Sequence, residues 1–161
     1  MQRDTMNDPT KLTEYVTFSA SGQLFGLPIE RVQDVFKPTN ITRVPLAGSE
    51  IAGVLNLRGR IVTAIHLSAR LDLESRAPAA APKGSAPMAI GIESAAESFG
   101  LLVDSVGEVL KLTEADREPN PINLDRKLAR VSSGVFRLDG QLLVVLDVDR
   151  VLDLGGEAVA A

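Results

Sequence analysis

The chain has 161 residues, 45% of them apolar and 24% charged, which fits one packed domain or two very small ones. A net charge of −4, with 17 basic residues dispersed along the chain, offers no clustered face for phosphate and excludes a nucleic-acid surface. Zero cysteines exclude disulfides, thiolate metal sites and a thiol nucleophile, and no apolar run approaches the ~20 residues of a membrane span or the core of a secretory signal, which predicts a cytoplasmic protein.

Residues 1–13 are polar, contain Pro9 and predict a loose tail. Val16, Phe18 and Ala20 then alternate with Thr17 and Ser19, Ser21-Gly22-Gln23 makes a turn, and Phe25, Leu27 and Ile29 alternate again, the pattern of a hairpin. Glu30 to Lys37 carries Val32, Val35 and Phe36, which suits a short amphipathic helix and leaves a strand open; Pro38 ends it. Ile41 to Val44 reads as a further short strand. Glu50 to Leu67 holds two apolar runs that meet at Leu57-Arg58-Gly59-Arg60, a second hairpin. Ser75 to Pro87 has three prolines, a glycine and no large apolar residue, and reads as an exposed linker.

Met88, Ile90 and Ile92 restart the alternation, 94–97 turns, and Phe99, Leu101 and Val103 return. Glu114 to Asn123 is irregular, and Leu128 to Ser132 reads as a short strand before a hairpin with Asp139-Gly140 at its tip. Asp147 is an N-cap for a short helix through Val148, Val151 and Leu152 that Gly155-Gly156 closes, and the last residues fray.

Two blocks recur in the same order. Phe25 to Lys37 aligns with Phe99 to Lys111 at 6 identities in 13, and Gly53 to Leu73 with Gly134 to Leu154 at 7 in 21. The chain is a duplication of a unit of roughly 65 residues made of short strands, the size at which a small barrel closes. A unit that small is marginal alone, so the two copies should share a face or exchange a strand. The expected division is 14–74 for the first barrel, 75–87 for the linker, 88–155 for the second barrel with its terminal helix, and 156–161 for the frayed end.

The duplication provides a comparison within one molecule. Where one tip has Asp139-Gly140, a pair suited to tight turns, the other has Arg58-Gly59. Arg58 is either a long charged fork aimed at another molecule or a surface turn that tolerates arginine. Catalytic equipment is thin. His66 is the one histidine and occupies the repeat position of Asp147, the carboxylates are scattered, and no phosphate-binding glycine loop occurs. Aromatic residues are 4% with no tryptophan, which leaves no stacking platform for single strands. The remaining class is a protein-binding module that is not an enzyme and needs no cofactor or metal.

The segments FGLPIERVQDV, ITRVP, EIAGVLNLRGRIV, FGLLVDSVGEVLKL and LLVVLDVDRVL resemble the CheW family of bacterial chemotaxis adaptors from Glu14 to Leu154. The resemblance implies an all-β fold, an internally duplicated pair of small five-stranded SH3/OB-like barrels with short helices. It implies a scaffold, monomeric on its own, that couples the cytoplasmic tips of methyl-accepting chemoreceptors to the regulatory domain of the histidine kinase CheA and is recruited to membrane receptor arrays. Carried over by position, Val32, Gln33, Asp34, Arg58, Val103, Val106 and Val109 fall on the receptor-binding groove. Ile41, Val44, Gly53, Asn56 and again Arg58 fall on the kinase contact. Ordinary core burial is the competing reading for the valines. The family commonly reads P-I-V-D-L-R after the arginine turn where this chain has Thr63-Ala64-Ile65-His66-Leu67-Ser68, so a role in another chemosensory pathway, such as pilus motility, or as a binder outside arrays stays open.

Overall fold

A computed structural model describes residues 11–48, 50–71, 73 and 87–153. The expected tail up to residue 10, the linker through residue 86 and the Gly155-Gly156 stop lie outside the described residues.

Among the described residues, alternating apolar positions put ten strands where side chains can face inward every second residue. β1 (Leu12–Ala20) and β2 (Gln23–Pro28) form the first hairpin, pairing Val16 with Leu27 and Phe18 with Phe25. Pro28 lacks the N–H that a ladder needs, and the chain turns through one 3-10 turn, Ile29–Arg31. β3 (Val32–Phe36) follows, so the segment left between helix and strand is a strand: Val32, Asp34 and Phe36 are half-buried while Gln33 and Val35 face out, a period of two. β4 (Ile51–Leu57) and β5 (Arg60–His66) form the arginine-tipped hairpin, and α1 (Leu67–Arg70) follows at once.

The second half runs β6 (Met88–Ser94), β7 (Glu97–Val103), β8 (Ser105–Thr113), β9 (Ser132–Leu138) and β10 (Gln141–Leu146). α3 (Val148–Leu152) starts where expected, with the Asp147 carboxylate accepting from the Arg150 N–H at 3.2 Å. The strand expected at Leu128 to Ser132 is instead α2 (Arg126–Val131), and only Ser132 joins β9. Asp125 accepts from the Lys127 N–H at 2.8 Å, and Leu128 and Val131, three residues apart, reach the core from one side. Ile41 to Val44 forms no strand either. It is a strap held to β4 by a single bridge, in which Thr42 and Val54 exchange two 2.8 Å hydrogen bonds.

The strands make two five-stranded sheets, β8-β1-β2-β10-β9 (barrel I) and β3-β6-β7-β5-β4 (barrel II). Barrel I takes β1 and β2 from the first copy and β8 to β10 from the second; barrel II takes β3 to β5 and β6 and β7. The exchange is sealed by two short parallel pairings, β2 with β10 and β5 with β7. A strap closes each barrel near its open seam: Thr42 on Val54 in barrel II, Glu118 on Val135 in barrel I. Gly53 and Gly134 occupy equivalent places under these straps with φ of +148° and +146°.

The largest cluster of buried side chains belongs to neither barrel. Phe18, Phe25 and Leu27 of barrel I pack with Ile65, Ile90 and Leu101 of barrel II, and the three short helices add Leu67, Leu128 and Val151. Smaller clusters fill the barrels: Tyr15, Phe136, Leu143 and Val145 in barrel I, and Leu55, Val62 and Ala64 in barrel II. The two copies therefore share most of their apolar burial, which is how units too small to be stable alone become stable together.

Three hairpin turns carry two successive residues with positive φ, Ser21-Gly22, Arg58-Gly59 and Ala95-Ala96. This is the twist a two-residue hairpin prefers, but an alanine pays for it in contact between its Cβ and the backbone. Ala95 (φ 52°) and Ala96 (φ 68°) both do so. Replacing them with Asn-Gly is expected to stabilise the fold by about 1 kcal/mol, measured as a higher urea midpoint at unchanged slope.

Candidate functional site

Arg58 stands at the tip of the β4–β5 hairpin with φ of +54°, and Gly59 follows at +85°. Asn56 holds the turn by accepting from the Gly59 N–H at 2.9 Å. In the other copy only Gly140 has positive φ; Asp139 does not. The arginine, less suited to it, thus takes the left-handed conformation that the aspartate avoids, at a backbone cost of about 1 kcal/mol. A locally unfavourable residue held in place by its surroundings marks a position where local preference has yielded to something else.

The Arg58 side chain is 78% exposed, and its Nη1 lies 3.0 Å from Oδ2 of Asp34 on β3. Exposed to this degree, the pair is worth less than ~1 kcal/mol to the fold. It does set direction, because it lays the guanidinium across the seam between the edge strands β3 and β4. Arg60, at the start of β5, donates from Nη2 to Oε1 of Gln33 at 3.2 Å and to Oγ of Ser98 at 3.0 Å. Gln33 in turn donates to Glu93 at 2.9 Å. Gln33 and Asp34 thus share one rim with Arg58, 24 or more residues further along the chain.

Behind the rim lies a cavity of about 240 Å³ to which all five strands of barrel II contribute. Phe36, Leu57, Val62 and Phe99 supply its apolar surface, and Gln33, Asp34, Arg58, Arg60 and Ser98 its polar mouth. Among the described residues no three His, Cys, Asp or Glu side chains converge as metal ligands would. His66 ends β5, exposed, at the position before α1, and makes none of the capping bonds that Asp147 makes.

The other expected site residues scatter. Val103 is 2% exposed inside the shared core, and Val32 and Val106 pack against that core half-buried. Val109 is 45% exposed on β8, an edge strand of barrel I, away from the Arg58 cavity. Among the valines, core burial is the simpler reading for Val103 alone. Ile41 is half-buried against the interior of barrel II, and Val44 is exposed beyond the strap. Gly53 is buried beneath the strap: a Cβ there would strike the Thr42 carbonyl and come within 2.8 Å of Ile41 Cγ2. Any part it has in binding runs through the strap. Asn56 likewise shapes the turn.

Sequence reasoning missed Arg60, Ser98 and the ring of Phe36. The repeat held a signal for two of them, since Arg60 and Ser98 stand where the other copy has Gln141 and Leu24. It also missed Leu46 and Ile122, each fully exposed, Leu46 with φ of +66°. No periodicity marks such loop residues.

A family model described as a CheW-like domain matches residues 14–155. The chain is 28% identical over 149 residues to the chemotaxis protein CheW of Thermotoga maritima, covering 92% of this chain and 93% of that protein. It is 28% identical over 141 residues to the CheW of Rhizobium meliloti, 86% of each. It is also 27% identical over 137 residues to the chemotaxis protein CheA of Salmonella typhimurium, 85% of this chain but 19% of that larger protein. Among solved structures, the scaffolding protein TtCheW from Thermoanaerobacter tengcongensis superposes with a TM-score of 0.72 at 28% identity, covering 84% of both chains.

Proposed function

Because the chain belongs to the CheW family, we propose that it works as that family does, as a chemotaxis adaptor that couples chemoreceptors to the histidine kinase CheA without chemistry of its own. The observation that carries the reading is Arg58, an exposed arginine held in a strained turn and aimed across the polar mouth of a cavity with apolar side chains in its wall. Strain of that kind persists when the surroundings over-determine it, and it clusters where one molecule meets another.

The receptor face is assigned to Val32, Gln33, Asp34, Arg58, Val106 and Val109, with Val103 beneath them as support. An amphipathic helix of a receptor tip needs apolar surface beside a charged rim; half-buried Val32 stands on one strand with Asp34, which pairs with Arg58, and Val106 and Val109 add apolar surface on β8 of barrel I. The kinase face is assigned to the strap and the hairpin: Ile41 and Val44 as contacts, Gly53 and Asn56 as the residues that position them, and Arg58 shared. The similarity of this chain to one fifth of a CheA supports a contact between two modules of the same build. Among the described residues no helix is long and apolar enough to cross a membrane. The chain is taken to be a monomer until receptors and kinase recruit it to arrays.

Co-sedimentation with receptor-bearing membranes and CheA tests the reading. The protein is expected in the pellet when both partners are present. If it stays in the supernatant with both partners there, it serves as a binder outside arrays and the adaptor reading fails.

A further inference from the structure

Comparing the two barrels position by position shows that barrel II carries smaller side chains at several equivalent interior places. The repeat blocks fix the equivalences, an offset of 74 from Phe25 to Phe99 and of 81 from Gly53 to Gly134. In the second block barrel I has Phe136, Leu143 and Val145 where barrel II has Leu55, Val62 and Ala64. In the first, Tyr15 and Leu24 correspond to Ala89 and Ser98, and the strand registers agree, since Tyr15 pairs with Pro28 as Ala89 pairs with Leu102. Every one of these five replacements makes barrel II smaller inside. Phe36, opposite Leu110, and Leu102, opposite Pro28, go the other way.

The physical results differ accordingly. In barrel I the Tyr15 and Phe136 rings meet edge to face, 5.4 Å between centres, and plug the interior. In barrel II the Phe36 ring lies over Gly100 beside Val62 and Ala89, and a cavity of about 240 Å³ remains next to it, with Val62 and Ser98, two of the five smaller residues, in its wall. Protein interiors pack tightly, and a void that is neither filled nor collapsed forfeits contacts on its walls. A dry cavity of about 150 Å³ in another protein admits benzene, so this one has room for a six-membered ring.

We infer that barrel II is a receptacle for one aromatic side chain that carries a carboxylate beside it, presented by the partner protein. The identity of that partner rests on the adaptor reading; the chemistry of the receptacle does not. The apolar walls take the ring. Arg60, held across the mouth by Gln33 and Ser98, offers its guanidinium plane to a ring face. Arg58 is paired with Asp34, and Glu93 is taken up by Gln33, whereas among the described residues Arg60 bonds only the neutral Gln33 and Ser98, and its charge calls for an anion on the entering group.

The test uses the whole protein and 3-phenylpropionate, a ring with a carboxylate. Titration followed by NMR is expected to give saturable shifts at Leu57, Val62 and Ser98, with 2-phenylethanol binding about tenfold more weakly for want of one charge-assisted contact and propionate giving none. Ser98→Leu, which copies Leu24 of barrel I, and Val62→Leu, which copies Leu143 and leaves the rim intact, are each expected to abolish the shifts. No saturable binding of 3-phenylpropionate to the unaltered protein, or full binding to both variants, overturns the receptacle. That failure is distinct from failure of the adaptor reading, which co-sedimentation of the unaltered protein decides.

Discussion

Arg58→Glu is expected to abolish activation of CheA by receptor in a reconstituted assay, by about tenfold or more, while the unfolding midpoint moves little. The fold does not depend on this side chain: its ion pair with Asp34 is exposed and weak, and glutamate in the same left-handed turn suffers much the same backbone strain. The rim is another matter, because a glutamate beside Asp34 replaces attraction by repulsion and reverses the sign offered to a partner. Arg58→Asn separates strain from function. Asparagine accepts positive φ more readily, so this variant is expected to be more stable than the parent by about 0.5–1 kcal/mol and still to lose activation. A loss of activity accompanied by a gain in stability cannot be put down to misfolding. Normal activation by Arg58→Glu would remove the role assigned to Arg58.

Gly53→Val is expected to have the largest effect on stability, about 3 kcal/mol or more, read from urea denaturation. Two penalties combine there. The backbone at φ +148° is rarely adopted by residues with a side chain, and a Cβ would be driven into the Thr42 carbonyl. That carbonyl is not free to retreat, because it accepts the Val54 N–H at 2.8 Å while the Thr42 N–H binds the Val54 carbonyl at 2.8 Å. Relief comes only by detaching the strap, which opens the seam of barrel II and displaces Ile41 and Val44. Reduced binding to CheA is therefore expected from any Gly53→Val protein that still folds. An unchanged midpoint would show that the strap yields cheaply.

The hairpins were legible because a period of two needs only the identities of neighbours, and each of the four matched its alternation and its turn. The duplication was legible as well, from Phe25 to Lys37 and Gly53 to Leu73 against their counterparts. Which strands pair across the copies was not, since every strand shows the same alternation and nothing local tells β2 that its neighbour is β10. α2 was misread because Leu128 and Val131 are too few to define a period, and its evidence lies in a cap, Asp125, just before the apolar residues. At the site, Arg58 was visible through the comparison of the two turns. Its ion pair with Asp34 was not, because it joins a turn to a strand through a seam that exists only once the barrel has curled. The valines were read as one set, although Val106 packs half-buried against the shared core while Val109, three residues on along β8, is exposed.

The exchange of strands also orders how the molecule can be made. On the ribosome, barrel II has all five of its strands once Val103 has been translated, whereas barrel I still lacks β8, β9 and β10. The β1–β2 hairpin, synthesised first, must wait for β10 more than a hundred residues later before its inner edge is covered. A nascent chain therefore passes through an interval in which Phe18, Phe25 and Leu27 have only the partner barrel to shelter against. Contacts this distant in sequence close slowly, and the barrel that starts first is the one that finishes last.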